Sequence, residues 1–201
     1  MEKEEEKENE NHLKEINNEN EKDFSFDSEN STIFEDDLEN EIITNNSNLI
    51  LSISNYIEKL LRGKTINSNF NTSLMNIFYS EIIPEISIID YLKRILYFSN
   101  CEINSLISSL IYINELIKDF PINKHYIHKL LFTCILFSIK YNEDLIYKND
   151  FYCQIAGISL KDLNLMEYNF IVLLNFNFYI NPQIYHYYKL KLEEDFSCKS
   201  F

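Results

Sequence analysis

From about residue 48 onward, apolar side chains recur at intervals of three and four positions, and no segment alternates convincingly with a two-residue period. That spacing is the mark of amphipathic helices. Residues 48–62 predict a first helix, ended by Gly63. Residues 70–83 read as a second, shorter helical stretch closed by Pro84. Ser87, with Asp90 three residues on, starts a helix in the manner of a capping box. Ile88, Leu92, Ile95 and Leu96 carry that helix on to Phe98. Asn100 is placed to cap the next helix, whose stripe runs from Ile103 to Ile117 and stops at Phe120-Pro121. Asn123 is placed to cap a helix reaching about Tyr141 that is apolar nearly all round, as the central rod of a bundle must be. Asn149 is placed to cap a short helix that Ala156-Gly157 closes. Ser159 and Asp162 repeat the capping pattern ahead of residues 160–174, and Pro182 opens a last helix of about ten residues. The pattern predicts an all-α fold of five core helices around that apolar rod, flanked by helices at both ends.

Charge divides the chain differently. Residues 1–49 hold 17 acidic and 4 basic side chains, whereas residues 50–201 hold 15 and 14, so the overall net charge of −14 belongs to the leading segment. Residues 1–46 predict a disordered acidic tail, punctuated by Phe24, Phe26, Ile33, Phe34 and Leu38. Those punctuations fit either a solvated tail or a short docking motif. Residues 47–195 predict the folded domain. A near-neutral domain with an acidic tail lacks the basic footprint that nucleic acid requires. The longest uncharged apolar run, residues 130–139, is about half the ~20 residues that span a bilayer. With a polar opening segment and four scattered cysteines (Cys101, Cys134, Cys153, Cys198), the expectation is an intracellular protein with free thiols, in cytoplasm or nucleus. The scarcity of Ala and Gly beside abundant Asn, Ile and Lys reads as the codon bias of an AT-rich genome.

Chemistry enters through two charges on apolar faces. Lys140 follows Leu136 and Phe137 at helical spacing, which suits either a cation snorkelling from a helix C-terminus or a partner contact. Glu167 lies in a stripe with Leu163, Phe170 and Ile171. Unpaired there, its carboxylate costs several kcal/mol, so it needs a partner. A private salt bridge to Lys140 and a hydrogen-bonding edge for another protein both satisfy that need. Enzymatic and cofactor readings find little support. His125 and His128 lie three apart with no third metal ligand nearby. No cysteine has an activating polar setting. Two glycines cannot build a phosphate loop.

Four segments together resemble a known family. PEISIIDYLKRILYFSNC (residues 84–101) resembles the opening of the cyclin box in P/U-type cyclins, the group related to the yeast phosphate-pathway cyclin and the plant P-type cyclins. LIYINEL (110–116) is similar to that family's YIDRL segment, with Asn114 and Glu115 in place of its acid–basic pair. HKLLFTCILFSIKYNEDLIYKNDFYCQIAGIS and LNLMEYNFIVLLNFNFYI resemble two further stretches in order, and the resemblance covers residues 84–182. It implies a single cyclin box with helix 48–62 as its leading helix, and the helix that Pro182 opens, at 183–193, follows the box. Lys129 stands for the family's usual Arg, Cys153 for Ala and Ala156 for Gly. After Pro182 the chain is too short for a second box, and the tryptophan-bearing first helix of mitotic cyclins has no counterpart.

The resemblance also implies a function: a non-catalytic subunit that binds and activates a cyclin-dependent kinase, without cofactor, metal, nucleic acid or membrane, and with kinase substrates as further partners. Lys140 and Glu167 fall on the positions at which cyclins hydrogen-bond backbone near the kinase αC helix. Phe137, Tyr141, Leu163 and Phe170 are the expected contact surface around them. Asp144, Asn149 and Gly157 match the family's turn positions. The alternative is a cyclin-like scaffold or adaptor, in transcription or signalling, that activates no kinase.

Overall fold

A computed structural model describes residue 44 and residues 46–62 and 73–197. The acidic segment up to residue 43, Gly63 and Cys198 lie outside the described residues, and with them the expectations of a disordered tail and of a glycine stop after the first helix. The described residues form seven α-helices, one 3-10 turn and no strand. In chain order the helices are α1 (Ser47–Arg62), α2 (Ile88–Ser99), α3 (Ile103–Asp119), α4 (Ile127–Asn142), α5 (Asn149–Ala156), α6 (Leu160–Leu173) and α7 (Pro182–Ser197). The all-α expectation holds, and all seven helices lie in one compact unit, Leu38–Phe201.

Helix α4 is the rod. Leu130, Leu131, Cys134 and Ile135 on it have no exposed surface, and it packs against α2, α3, α5 and α6. Continuous apolar character around a helix is stable only when neighbours cover every side. Helix α1 turns Ile50, Ile53 and Ile57 inward against α2, α3 and α7. The Tyr56 hydroxyl donates to Asn114 Oδ1 at 2.9 Å, so an asparagine on α3 also anchors α1. Glu115 pairs with Lys118 instead, one turn on. Burial of Leu192 and the bond from the Tyr185 hydroxyl to Asn104 Oδ1 at 2.7 Å seat α7.

The caps explain the helix ends. Ser87 and Ser159 accept the backbone N–H of Asp90 and Asp162, as the sequence pattern predicts. Gly157 ends α5 with φ of 67°, a left-handed conformation that costs a side-chain-bearing residue strain. Three expected caps behave differently. Asn100 closes α2 in the left-handed region (φ 47°) rather than opening α3. Asn123 Oδ1 accepts the His125 N–H, in the turn ahead of α4. Asn149 is the first residue inside α5, not its cap. Helix α3 receives its cap from another element: Glu143, just past α4, accepts from the Glu102 N–H at 3.1 Å and from the Ser105 hydroxyl. Burial raises the Glu143 carboxyl above its usual range, with those two hydrogen bonds opposing.

The short helix expected over residues 70–83 is not formed in its described part. Turns lead into a single 3-10 turn, Asn76–Phe78, followed by irregular chain to Ile86. Tertiary bonds hold this segment in place of helical ones. Lys129 Nζ donates to the carbonyls of Ile77 and Tyr79, Asn169 Nδ2 donates to that of Leu74, and the Ser80 N–H donates to the His125 carbonyl. Phe78 is thereby fully buried. Helix α7 is longer than the expected ten residues, at 16. Among the described residues no helix is long and apolar enough to cross a membrane.

Candidate functional site

The two charges singled out from the sequence meet. Lys140, in the last turn of α4, and Glu167, in the middle of α6, form an ion pair with Nζ to Oε1 at 2.6 Å. Asn149 closes the group from the first turn of α5. Its Oδ1 accepts from Lys140 Nζ at 2.6 Å, and its Nδ2 donates to Glu167 Oε2 at 2.6 Å. Nδ2 also reaches Asn164 Oδ1 at 2.7 Å. Three helices are therefore joined by one polar triad.

The triad lies at the edge of the core. The Lys140 side chain is 28% exposed and that of Glu167 15%. This degree of burial makes the bonds stronger than on an open surface, and charge-assisted bonds are the strong class. It also leaves the heads within reach of a second protein. Among the described residues Lys140 uses two of its three N–H donors, and each Glu167 oxygen accepts one bond. One ammonium hydrogen and carboxylate lone pairs remain for backbone groups of a partner.

The apolar residues expected at this site separate into two roles. Leu163 and Phe170 have no exposed surface, which corrects the expectation that they contact a partner. They face inward on α6, and Phe170 packs edge-to-face with Tyr112 (5.8 Å) and tilted against Phe137 (5.2 Å). Phe137 is half-buried and leans on Phe178 at 4.5 Å and on Tyr141 at 6.3 Å. Tyr141 is half exposed, next to Lys140. This aromatic cluster supports α4 from beneath the triad, and the Tyr112 hydroxyl secures it by donating to the Phe178 carbonyl at 2.9 Å.

Sequence reasoning missed Asn164, Tyr112 and Phe178, and gave Asn149 a helix cap and a turn position but no bond to either charge. Asn164 was within reach of the pattern, since it lies three residues before Glu167 and so shares its face. Exposed apolar residues on the elements that carry the triad, and in the segments that adjoin them, were missed too. Leu145 is 87% exposed in the α4–α5 loop, with Ile146 and Tyr147 beside it; Tyr168 follows Glu167, and Phe176 and Tyr179 follow α6. Asn175 and Phe176 both adopt positive φ, 50° and 59°. That conformation is strained for a ring-bearing residue, and here the ring remains exposed. Exposed apolar side chains on the same elements as a partly exposed polar group are the composition of a protein interface. Asp144 is exposed in the same loop, and Gly157 keeps the turn position expected of it.

The other reactive groups are structural. His125 Nδ1 lies 2.8 Å from the Ser80 carbonyl and His128 Nε2 3.0 Å from that of Ile86, so the two histidines pin the 80–86 segment rather than share a metal. Burial pushes the Cys101 thiol up to about 12 and Cys134 well above its usual value, so neither forms a thiolate readily.

Comparison with known proteins agrees with this fold. The cyclin family matches residues 5–178. Cyclin-U4-1 of Arabidopsis thaliana is 27% identical over 154 residues, covering 74% of this chain and 76% of the relative. Cyclin-U1-1 of the same plant is 31% identical over 150 residues, covering 71% of each. Cyclin-P4-1 of Oryza sativa subsp. japonica is 30% identical over 115 residues, covering 56% of this chain and 54% of the relative. A helical bundle around a central apolar rod, a family match over most of the chain and relatives of both U and P type lead to one conclusion: the chain belongs to the cyclin family, and within it to the P/U type.

Proposed function

We propose that this cyclin is the regulatory subunit of a cyclin-dependent protein kinase, and that it docks on the kinase αC helix through the edge formed by Lys140 and Glu167. The observation that carries the proposal is the triad itself. Two opposite charges and an amide are held together at a partly exposed core edge, with hydrogen-bonding capacity to spare, beside apolar side chains that nothing among the described residues covers.

Kinase catalysis needs an αC glutamate paired with the phosphate-binding lysine, and an open activation loop. A partner that binds the αC-in state better than the αC-out state shifts the population toward it. Tyr141, Tyr168 and the 145–147 loop supply apolar area, while Lys140 and Glu167 fix register by bonding backbone. Asn149 is a positioning residue, because it orients both charged heads before the partner arrives.

The test is capture of a cyclin-dependent kinase, and its phosphorylation of a histone-type substrate, with wild type and with the Lys140→Ala/Glu167→Ala double variant. A folded double variant that loses both supports the proposal. One that keeps full binding and activation sinks the site. Wild type that activates no kinase it is paired with favours a cyclin-like scaffold in which the triad is a structural latch.

A further inference from the structure

A second candidate site lies at the other end of α4. A cavity of about 320 Å³ is walled by Tyr91 and Arg94 of α2, His128, Lys129 and Phe132 of α4, and the α5–α6 turn at Gly157. Its floor is apolar, and its lining includes two cations, Arg94 and Lys129, and no carboxylate. Residues 50–201 hold 15 acidic and 14 basic side chains, yet the only full charges lining this cavity are the two cations. Glu81 and Glu85 sit in the adjoining loop without lining it.

Arg94 is held in place. Its Nε donates to the Ile155 carbonyl at 3.1 Å, and its guanidinium lies 5.9 Å from the Phe98 ring centre. Its four terminal N–H groups have no partner among the described residues. Lys129 donates to two carbonyls and keeps one donor. His128 Nε2 must carry the proton it shares with the Ile86 carbonyl, and burial lowers the pKa of the ring, so the cavity's charge comes from Arg94 and Lys129. The space in front of Gly157 is open. A guanidinium fixed through Nε, with its four terminal N–H groups unused, is a fork that fits a carboxylate in bidentate fashion.

We infer that this cavity is a docking site for an acidic peptide of a partner protein, taking one Asp or Glu carboxylate on Arg94 and Lys129 and a neighbouring apolar side chain on the floor formed by Tyr91 and Phe132. Charge complementarity selects the acid. The apolar floor selects a peptide over a free anion. From Lys129 to Lys140 is about 16 Å along α4 at 1.5 Å per residue, so the site is separate from the triad. The inference does not rest on kinase binding, and its test contains no kinase.

The test is fluorescence anisotropy of the full chain with end-capped, fluorescein-labelled peptides Ala-Phe-Glu-Phe-Ala, Ala-Phe-Gln-Phe-Ala and Ala-Phe-Lys-Phe-Ala. The Glu peptide is expected to bind about tenfold more tightly than the other two, as one charge-assisted bidentate pair implies. Arg94→Gln and Lys129→Gln are each expected to remove most of that preference while the melting curves confirm folding. Lys129→Gln keeps the test decisive where loss of the Arg94–Ile155 bond unfolds the other variant. Equal binding of the three peptides, no binding of the Glu peptide, or an unchanged preference in folded variants overturns the inference. So does competition by acetate at the same midpoint as the unlabelled Glu peptide, which reduces the site to a carboxylate hole.

Discussion

Asn149 shows best what one residue can hide. A short polar side chain ahead of a helix reads as a cap, because capping is what asparagine does most often there. Lys148 in extended conformation takes the cap position instead, and Asn149 spends both ends of its amide on Lys140 and Glu167. The pairing of Lys140 with Glu167 was legible, since a carboxylate in an apolar stripe demands a counter-charge. The third member was not, because α4, α5 and α6 meet only through tertiary packing. Asn149→Leu removes a donor and an acceptor from a half-buried ion pair, and is expected to lower unfolding free energy by about 1–3 kcal/mol in urea denaturation. Unchanged stability would mean the amide contributes nothing. His128 makes a prediction in pH. Burial lowers its pKa, the bond to Ile86 opposes that only in part, and Nδ1 is buried without a partner among the described residues. The unfolded chain therefore binds the proton more readily, so stability falls as pH drops through about 6.5 and the loss ends below the folded pKa. The melting temperature of His128→Gln is expected to fall less than that of wild type over this range. Parallel curves would assign the acid sensitivity elsewhere.

Helix by helix, the pattern was readable where local chemistry sets the boundaries. Ser87, Ser159 and Gly157 do what their side chains, or the lack of one, dictate. It failed where tertiary bonds replace local ones. Residues 73–83, the described part of the expected short helix, carry helix-like spacing, yet Lys129, His125 and Asn169 hold their carbonyls and amides from outside. The α3 cap was invisible for the same reason, since Glu143 lies 41 residues from Glu102. Two substitutions separate these cases. Ser159→Ala is expected to cost about 1 kcal/mol through the lost cap of α6. Gly157→Ala meets no steric contact but keeps a left-handed φ, and is expected to cost about 1 kcal/mol through backbone strain alone. Urea denaturation of both variants checks this, and a neutral Gly157→Ala would show that the turn relaxes. Leu163→Ala, by contrast, opens a cavity in the core under the triad and is expected to cost about 2–5 kcal/mol. Kinase affinity of the fraction that remains folded should be unchanged, because Leu163 has no exposed surface.

At the level of the whole molecule, one rod carries two surfaces. The C-terminal end of α4 presents the triad amid exposed aromatic and aliphatic side chains, and its N-terminal end walls the cationic cavity. The fold was legible because a helix apolar on every side permits only a central position. The surface proposed to face a partner was half legible: its charges broke the apolar pattern, but its aromatic residues did not. Exposed and buried rings look alike in a chain with 14 tyrosines and 15 phenylalanines. The most direct measurement is therefore the kinase activity supported by folded Lys140→Ala/Glu167→Ala protein, beside wild type, on a histone-type substrate. Activation and capture lost together, with the melting transition still cooperative, is the predicted result. Full activation by the folded double variant would contradict it and leave the triad a structural latch.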